Sequence, residues 1–257
     1  MKIHFAVQCH KFERRLAWQL SSIDQQVGRD TPEIPHQTNI ARPAYALPEI
    51  TIDVSYMPHH SEPSIEYVLR SFPDLDIVHT VLTDRNVFAQ RGLVRNIQME
   101  NANDADWVFF GDCDNIYHPH FFAELGHRLE SCTERRTYYS RDKHHTETEP
   151  TDAACREALI NPRINYAYKR AMALPRIDKK NKKVAAGCCQ IVKPEWCDGY
   201  YVKRANDRHL FDQGQRARSD IRFRKRIGDS FDLCLPVQVH MGHRRDKEEG
   251  RHLEEQR

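Results

Sequence analysis

The sequence lacks any apolar run near the roughly 20 residues that cross a bilayer. Its amino terminus also lacks the charged-then-apolar layout of a secretory signal. The expectation is therefore a cytoplasmic protein without a transmembrane segment. Charge of one sign is missing as well: 39 Lys and Arg against 37 Asp and Glu leave a net +2, so no global field marks a nucleic-acid binder. The ten glycines form no Gly-rich phosphate loop near the amino terminus, which removes the signature expected of a nucleotidyltransferase. There is no internal repeat and no low-complexity segment. Eight cysteines, at 9, 113, 132, 155, 188, 189, 197 and 234, are too scattered for a compact disulfide framework, and most are expected reduced and buried. Cys188, Cys189 and Cys197 depart from the C-x₂₋₄-C spacing of structural zinc and read instead as small buried hydrophobes.

What is present is an alternation of strand and helix. The length of 257 residues suits one large α/β domain or two small ones, and nothing forces a second. Ile3 to Gln8 reads as a strand, followed by Phe12, Leu16, Leu20, Ile23 and Val27 at helical spacing. After a proline-bearing loop from Gly28 to Pro48, strands are expected at Ile50 to Tyr56 and Asp76 to Leu82, with a short helix from Ser64 to Ser71 between them. A helix from Asn86 to Asn103 precedes a fourth strand ending at Asp112. Four strands alternating with helices imply a Rossmann-like parallel sheet. A helix bearing Phe121, Phe122, Leu125 and Leu129 follows. Residues 131 to 183, rich in charge, histidine and tyrosine, read as loops and short helices covering a site, with the basic run Lys179 to Lys183 a solvated loop. Strands at Val184 to Val192 and Leu235 to Val239 and a basic helix from Asp220 to Ile227 complete the pattern.

The chemistry concentrates in Ala105-Asp-Trp-Val-Phe-Phe-Gly-Asp-Cys-Asp114. A continuous apolar run marks a strand buried on both faces, and Gly111 is read as freeing the backbone to turn. Asp112 and Asp114 then emerge at the carboxyl end of the strand, where open α/β sheets bind ligands. Two carboxylates so close repel unless a cation or donor is shared, and Mn²⁺ or Mg²⁺ would resolve the conflict while holding a diphosphate. A second metal-type element, His240-Met-Gly-His243, follows the last strand. Imidazole and carboxylate together suit Mn²⁺ and related ions.

These features together resemble glycosyltransferases of the GT-A fold, most closely the β-1,4-galactosyltransferase and chondroitin-polymerase type. Ala89-Gln-Arg-Gly-Leu-Val-Arg-Asn96 looks like the family's Arg-rich helix start before the Asp-Xaa-Asp strand. Gly187-Cys-Cys-Gln-Ile-Val192 and Trp196-Cys-Asp-Gly-Tyr-Tyr201 look like its acceptor-side strand and Gly-Gly-Tyr/Phe-Asp loop, and His240 to Lys247 is similar to its carboxyl-terminal metal-binding segment. The resemblance covers most of residues 1 to 247. It implies one GT-A domain over 1–257, a mixed sheet flanked by helices. Residues 1–130 would form the nucleotide-sugar half, and residues 131–257 the acceptor half.

The activity so implied is a metal-dependent hexosyltransferase moving a sugar from a nucleotide-sugar, a UDP-sugar first, to a glycan or other acceptor hydroxyl with inversion. Asp114 and His243, joined by His240, would hold Mn²⁺ (or Mg²⁺) on the diphosphate, with Asp112 at the same metal or nearer the ribose or sugar. Arg91 and Arg95 would add charge-assisted hydrogen bonds to the diphosphate. Asp53 would accept from the uracil ring or cap something local. The family's loop after the first strand is replaced by Gln8-Cys-His-Lys-Phe-Glu-Arg14. Its acidic base cluster is reduced, within Phe211 to Arg224, to Asp212 or Asp220. A competing reading is a non-catalytic glycan- or nucleic-acid-binding module, with the six basic side chains of Arg216 to Arg226 as its face. A nucleotidyltransferase is the other enzyme reading.

Overall fold

The computed structural model describes residues 1–10, 12–27, 45–58, 64–88, 90–102, 104–148, 151–160, 167–176, 189–197 and 219–241. Strands β1 (Lys2–Cys9), β2 (Glu49–Tyr56), β3 (Asp76–Val81) and β4 (Trp107–Asp112) lie parallel, with β1 between β2 and β4. Helices α1 (Glu13–Val27), α2 (Ile65–Arg70), α3 (Arg85–Phe88) and α4 (Arg91–Asn101) make the crossovers. Then come β5 (Asn115–Ile116), α5 (Phe121–Glu130), β6 (Thr137–Tyr139), β7 (Lys143–His145), α6 (Asp152–Ile160), α7 (Ala167–Met172) and β8 (Cys189–Val192). A 3₁₀ turn at Pro194–Trp196, α8 (Ser219–Ile227), β9 (Ser230–Asp232) and β10 (Gln238–His240) follow. The main sheet has seven strands in the order β3-β2-β1-β4-β8-β6-β9, and a second sheet has three in the order β5-β10-β7. Strand β8 runs antiparallel to β4, so the main sheet is mixed and flanked by helices.

Alternation along the strands sorts the core into two layers. Phe5, Val7, Trp107 and Phe109 face one side with Leu16, Leu20 and Ile23 of α1, Val68 of α2 and Phe122 of α5. Ala6, Val108 and Phe110 face the other with Phe223 and Ile227 of α8. A third cluster packs Trp18 of α1 with Ile116, Val239, Ala167 and Ala171, and so seats the small sheet and α7 on the outer side of α1.

The sequence reading differs from the structure in several places. The helix expected over 86–103 is two pieces, α3 and α4, because Gln90 between them leaves helical geometry at φ −101°, ψ 88°. Residues 131 to 183 contain strands β6 and β7 besides short helices; three-residue strands are too short to show a period. Of the strand expected over 184–192, the described part is Cys189–Val192. The last strand ends on His240 instead of before it.

Gly111 is also not a turn residue. It lies inside β4, one place before its end. A Cβ there would stand 2.5 Å from Phe5 Cε2, 2.9 Å from its Cζ and 3.3 Å from the Tyr117 hydroxyl. The glycine is required because rings of the Phe5, Phe109, Tyr117 and Phe122 cluster lie across the strand, with Phe5 and Phe109 centroids 4.9 Å apart. Gly111→Ala is expected to destabilise the fold by about 1–3 kcal/mol, the usual range for overpacking. Combining it with Phe5→Leu should yield a loss smaller than the sum of the two single changes. Urea denaturation of the two single variants and the double variant measures that coupling.

Candidate functional site

The carboxyl ends of β1 and β4 and the turn after β4 form the site. Asp112, the last residue of β4, sits in register with Gln8 of β1. Arg91 and Arg95 lie one turn apart on the first turns of α4 and therefore on one face. Arg91 Nη1 is 3.5 Å and Arg95 Nη2 4.0 Å from Asp112 Oδ1. Arg95 is held firmly: it is buried, its guanidinium lies 5.1 Å from the Phe110 ring, and its Nη1 donates to Gln190 Oε1 at 3.3 Å. Burial pushes the Asp112 carboxyl upward, but Arg91, Arg95, Lys143 and His240 outweigh it and hold the carboxyl below its ordinary range.

Cys113 points the other way, into the core. It meets Cys9, whose thiol is pushed well above its usual value by the hydrogen bond with Cys113 and by burial. The carboxylates on either side of it have their charged partners outside that core, Arg91 and Arg95 at Asp112 and Arg15 and His240 at Asp114.

Asp114 is met from two directions. Its Oδ2 lies 3.3 Å from His240 Nε2 and 3.6 Å from Arg15 Nη1 on α1. His240 arrives through the small sheet, opposite Asn115 of β5 and opposite His145 of β7, with the two imidazole rings 4.9 Å apart. The backbone N–H of Met241 donates to Asp114 O at 2.9 Å and ties the end of β10 to the carboxylate turn. Asp114 Oδ1 is buried and has no hydrogen-bond donor among the described residues.

These residues fit a hard divalent cation shared with a ligand. Cis ligands about 2.1 Å from one octahedral ion stand about 3 Å apart, close to the observed imidazole-to-carboxylate separation, and the bare Oδ1 supplies a further oxygen. No group of three or more His, Cys, Asp or Glu able to hold a metal occurs among the described residues.

The structure thus brings together Asp112, Asp114, Arg91, Arg95 and His240. Asp53 is a correction. It lies fully buried in the middle of β2, where Thr80 Oγ1 and Asn101 Nδ2 donate to its carboxylate at 2.7 and 2.8 Å and His4 Nε2 stands 3.4 Å away. It therefore exposes no oxygen to a uracil ring and ties β1, β2, β3 and α4 together. Asp212 and His243 lie outside the described residues, as do Cys188 and the basic run 179–183. Asp220 falls in the first turn of α8. Sequence reasoning missed Arg15 and the buried Gln19, although the turn from β1 into α1 is a place where strand-end sites recruit side chains. A cleft of about 560 Å³ lined by Met1, Asp106, Trp107, Leu129, Lys193 and Glu195 lies at the amino end of β4, away from the carboxylates.

No family model matches the sequence, and no curated protein matches it. Solved structures do. The mannosyltransferase PcManGT from Pyrobaculum calidifontis, in complex with GDP-Man and Mn²⁺, superposes with a TM-score of 0.52 at 13% identity, over 97% of this chain and 59% of that one. This chain therefore spans less than two thirds of that protein's length. Glucosyl-3-phosphoglycerate synthase from Mycobacterium tuberculosis matches at a TM-score of 0.42 and 13% identity, over 96% of this chain and 74% of that one. The 4-diphosphocytidyl-2C-methyl-D-erythritol synthase from Anaerococcus prevotii matches at 0.40 and 11%, over 94% and 89%. The mixed sheet and the mannosyltransferase superposition define the class of fold: a Rossmann-like α/β fold of the GT-A type.

Because the Asp112 carboxyl is held below its unfolded value, its ion pairs stabilise the folded protein above the usual carboxylate pKa of about 3.9 and lose that effect as pH falls further. Asp112→Asn should lower the urea midpoint at neutral pH. The gap from wild type should then close progressively below about pH 4. Midpoints measured from pH 3 to pH 8 test this; a gap independent of pH would place the stabilisation elsewhere.

Proposed function

We propose that the protein is a metal-dependent glycosyltransferase. It would take a nucleotide-sugar, a UDP-sugar first, and pass the sugar to an acceptor hydroxyl with inversion. One observation carries the reading: Asp114 and His240, distant in sequence, meet at 3.3 Å beside a buried carboxylate oxygen that has no donor among the described residues, with Arg15 at Asp114 and Arg91 and Arg95 at Asp112. Positive groups grouped around paired carboxylates suit a ligand that is itself a doubly charged anion with its cation.

In this reading Asp114 and His240, with His243 three residues on in the sequence, would hold Mn²⁺ or Mg²⁺ for the diphosphate, and Asp112 would serve the same metal or lie nearer the ribose or sugar. The cation would supply Lewis-acid stabilisation of the charge left on the diphosphate. Arg91 and Arg95 bind the leaving diphosphate through charge-assisted hydrogen bonds, and the rigid seat of Arg95 on Phe110 fixes one of them before the donor arrives. The acceptor proton goes to a carboxylate, Asp220 or Asp212. Asp220 is favoured by its element: Phe223, one turn later on α8, meets Phe110 edge-on at 5.9 Å, and Phe110 lies two residues before Asp112. Residues 131–257 would select the acceptor, and the setting would be cytoplasmic. Among the described residues no helix is long and apolar enough to cross a membrane.

Calorimetry with UDP, GDP and CMP, each with and without Mn²⁺, tests the reading directly. One nucleoside diphosphate should bind with metal and lose its affinity without it. Absence of metal-linked binding to all of them would reject the transferase and turn attention to a binding module. Asp114→Ala should abolish the metal-linked part while leaving the melting temperature nearly unchanged. Asp220→Asn should leave donor binding intact and lower turnover by about 10²–10⁴-fold, the range of a lost general base; full turnover would move that role to Asp212.

A further inference from the structure

Helix α1 carries a polar stripe where an amphipathic helix against a sheet would be apolar. Gln19, Ser22 and Gln26 follow one another at helical spacing, and each hydrogen-bonds the backbone of the segment after β4. Gln19 Nε2 donates to Asp112 O at 2.7 Å and to Asn115 O at 3.0 Å. Ser22 Oγ accepts from the Tyr117 N–H at 3.2 Å, and Gln26 Oε1 accepts from the Phe122 N–H at 3.1 Å. The two carbonyls facing Gln19 settle which end of its amide is the NH₂.

Gln19 differs from the other two in what it grips. It is fully buried, and its Oε1 has no hydrogen-bond donor among the described residues, so the side chain is placed for its two bonds to carbonyls alone. Those carbonyls bracket Cys113 and Asp114. Asn115 Nδ2 adds a second donor to Asp112 O at 3.2 Å, and Met241 N–H holds Asp114 O from the opposite side. The carbonyls of Asp112, Asp114 and Asn115 are thereby pinned, and the direction in which the Asp114 carboxylate leaves the chain follows from the pins.

We propose that Gln19 is a positioning residue: by clamping Asp112 O and Asn115 O it sets the spacing of the Asp112 and Asp114 carboxylates, and hence the affinity of the site for a cation-bound nucleoside diphosphate. The inference rests on the functional reading above. Ser22 and Gln26 grip the chain beyond the carboxylates and serve as controls on the same helix face.

The test compares wild type with Gln19→Met, which keeps length and removes both donors, and with Gln26→Met. Three quantities are read: melting temperature, dissociation constant of the tightest-binding nucleoside diphosphate across a Mn²⁺ titration, and backbone hydrogen exchange. Gln19→Met should weaken metal-linked binding at least tenfold and raise exchange in peptides covering 112–117. Gln26→Met should lower the melting temperature comparably, keep affinity within twofold, and loosen 119–123 instead. Gln19→Met with affinity within twofold of wild type overturns the proposal. Should wild type show no metal-linked binding, the functional reading fails by itself and hydrogen exchange decides the clamp: unchanged protection of 112–117 in Gln19→Met overturns it, and selective loss there upholds it.

Discussion

Two carboxylates one residue apart leave the end of a buried strand, and much of the surrounding structure brings positive or polar groups to them. Helix α4 brings Arg91 and Arg95 to Asp112. Helix α1 brings Arg15 to Asp114, and the small sheet brings His240 to the same oxygen. Positive or polar groups thus arrive from elements far apart in the chain, and at Asp112 the charges of Arg91, Arg95, Lys143 and His240 outweigh the burial that would otherwise raise its pKa. One carboxylate oxygen, Asp114 Oδ1, is left without a donor among the described residues. In the proposed function that oxygen would face the cation.

The support beneath those carboxylates is rigid for a packing reason. Gly111 lets the Phe5 ring lie against β4 within a distance that a Cβ would not tolerate, and Tyr117, Phe121 and Phe122 close over it. Cys113 and Cys9 fill the remaining corner between β4 and β1. Aromatic packing on one face and the Phe110, Phe223 and Arg95 contacts on the other leave β4 little freedom just before the carboxylates. Precise placement of a charge depends on such a base, because a small displacement changes an electrostatic contact strongly at low dielectric.

The three-stranded sheet is the device that brings together two distant parts of the chain, the segment after β4 and the end of β10. Strand β5 is two residues long and β10 three, too short to be stable alone. They persist because Ile116 and Val239 are buried with Trp18, Ala167 and Ala171. This small cluster fixes the register that sets His240 opposite Asn115 and within reach of Asp114.

The strand order of events in the first 115 residues, the buried character of β4 and the exit of Asp112 and Asp114 at its end were legible in the sequence, because local apolar periodicity is what defines long elements. Arg91, Arg95 and His240 were singled out from the sequence through the family resemblance, and the structure sets the two arginines beside Asp112 and the imidazole beside Asp114. Asp53 stayed open between a ligand and a structural role, since nothing local distinguishes a carboxylate satisfied by Thr80 and Asn101 from one facing a ligand. Arg15 and Gln19 were invisible, because their partners lie about a hundred residues away in the chain. The sequence by itself determined which segments are buried and where acids and bases stand along the chain. Only the tertiary structure decided which of them meet, because strand register, the break at Gln90 and the docking of the small sheet on α1 arise from long-range packing that no local pattern encodes.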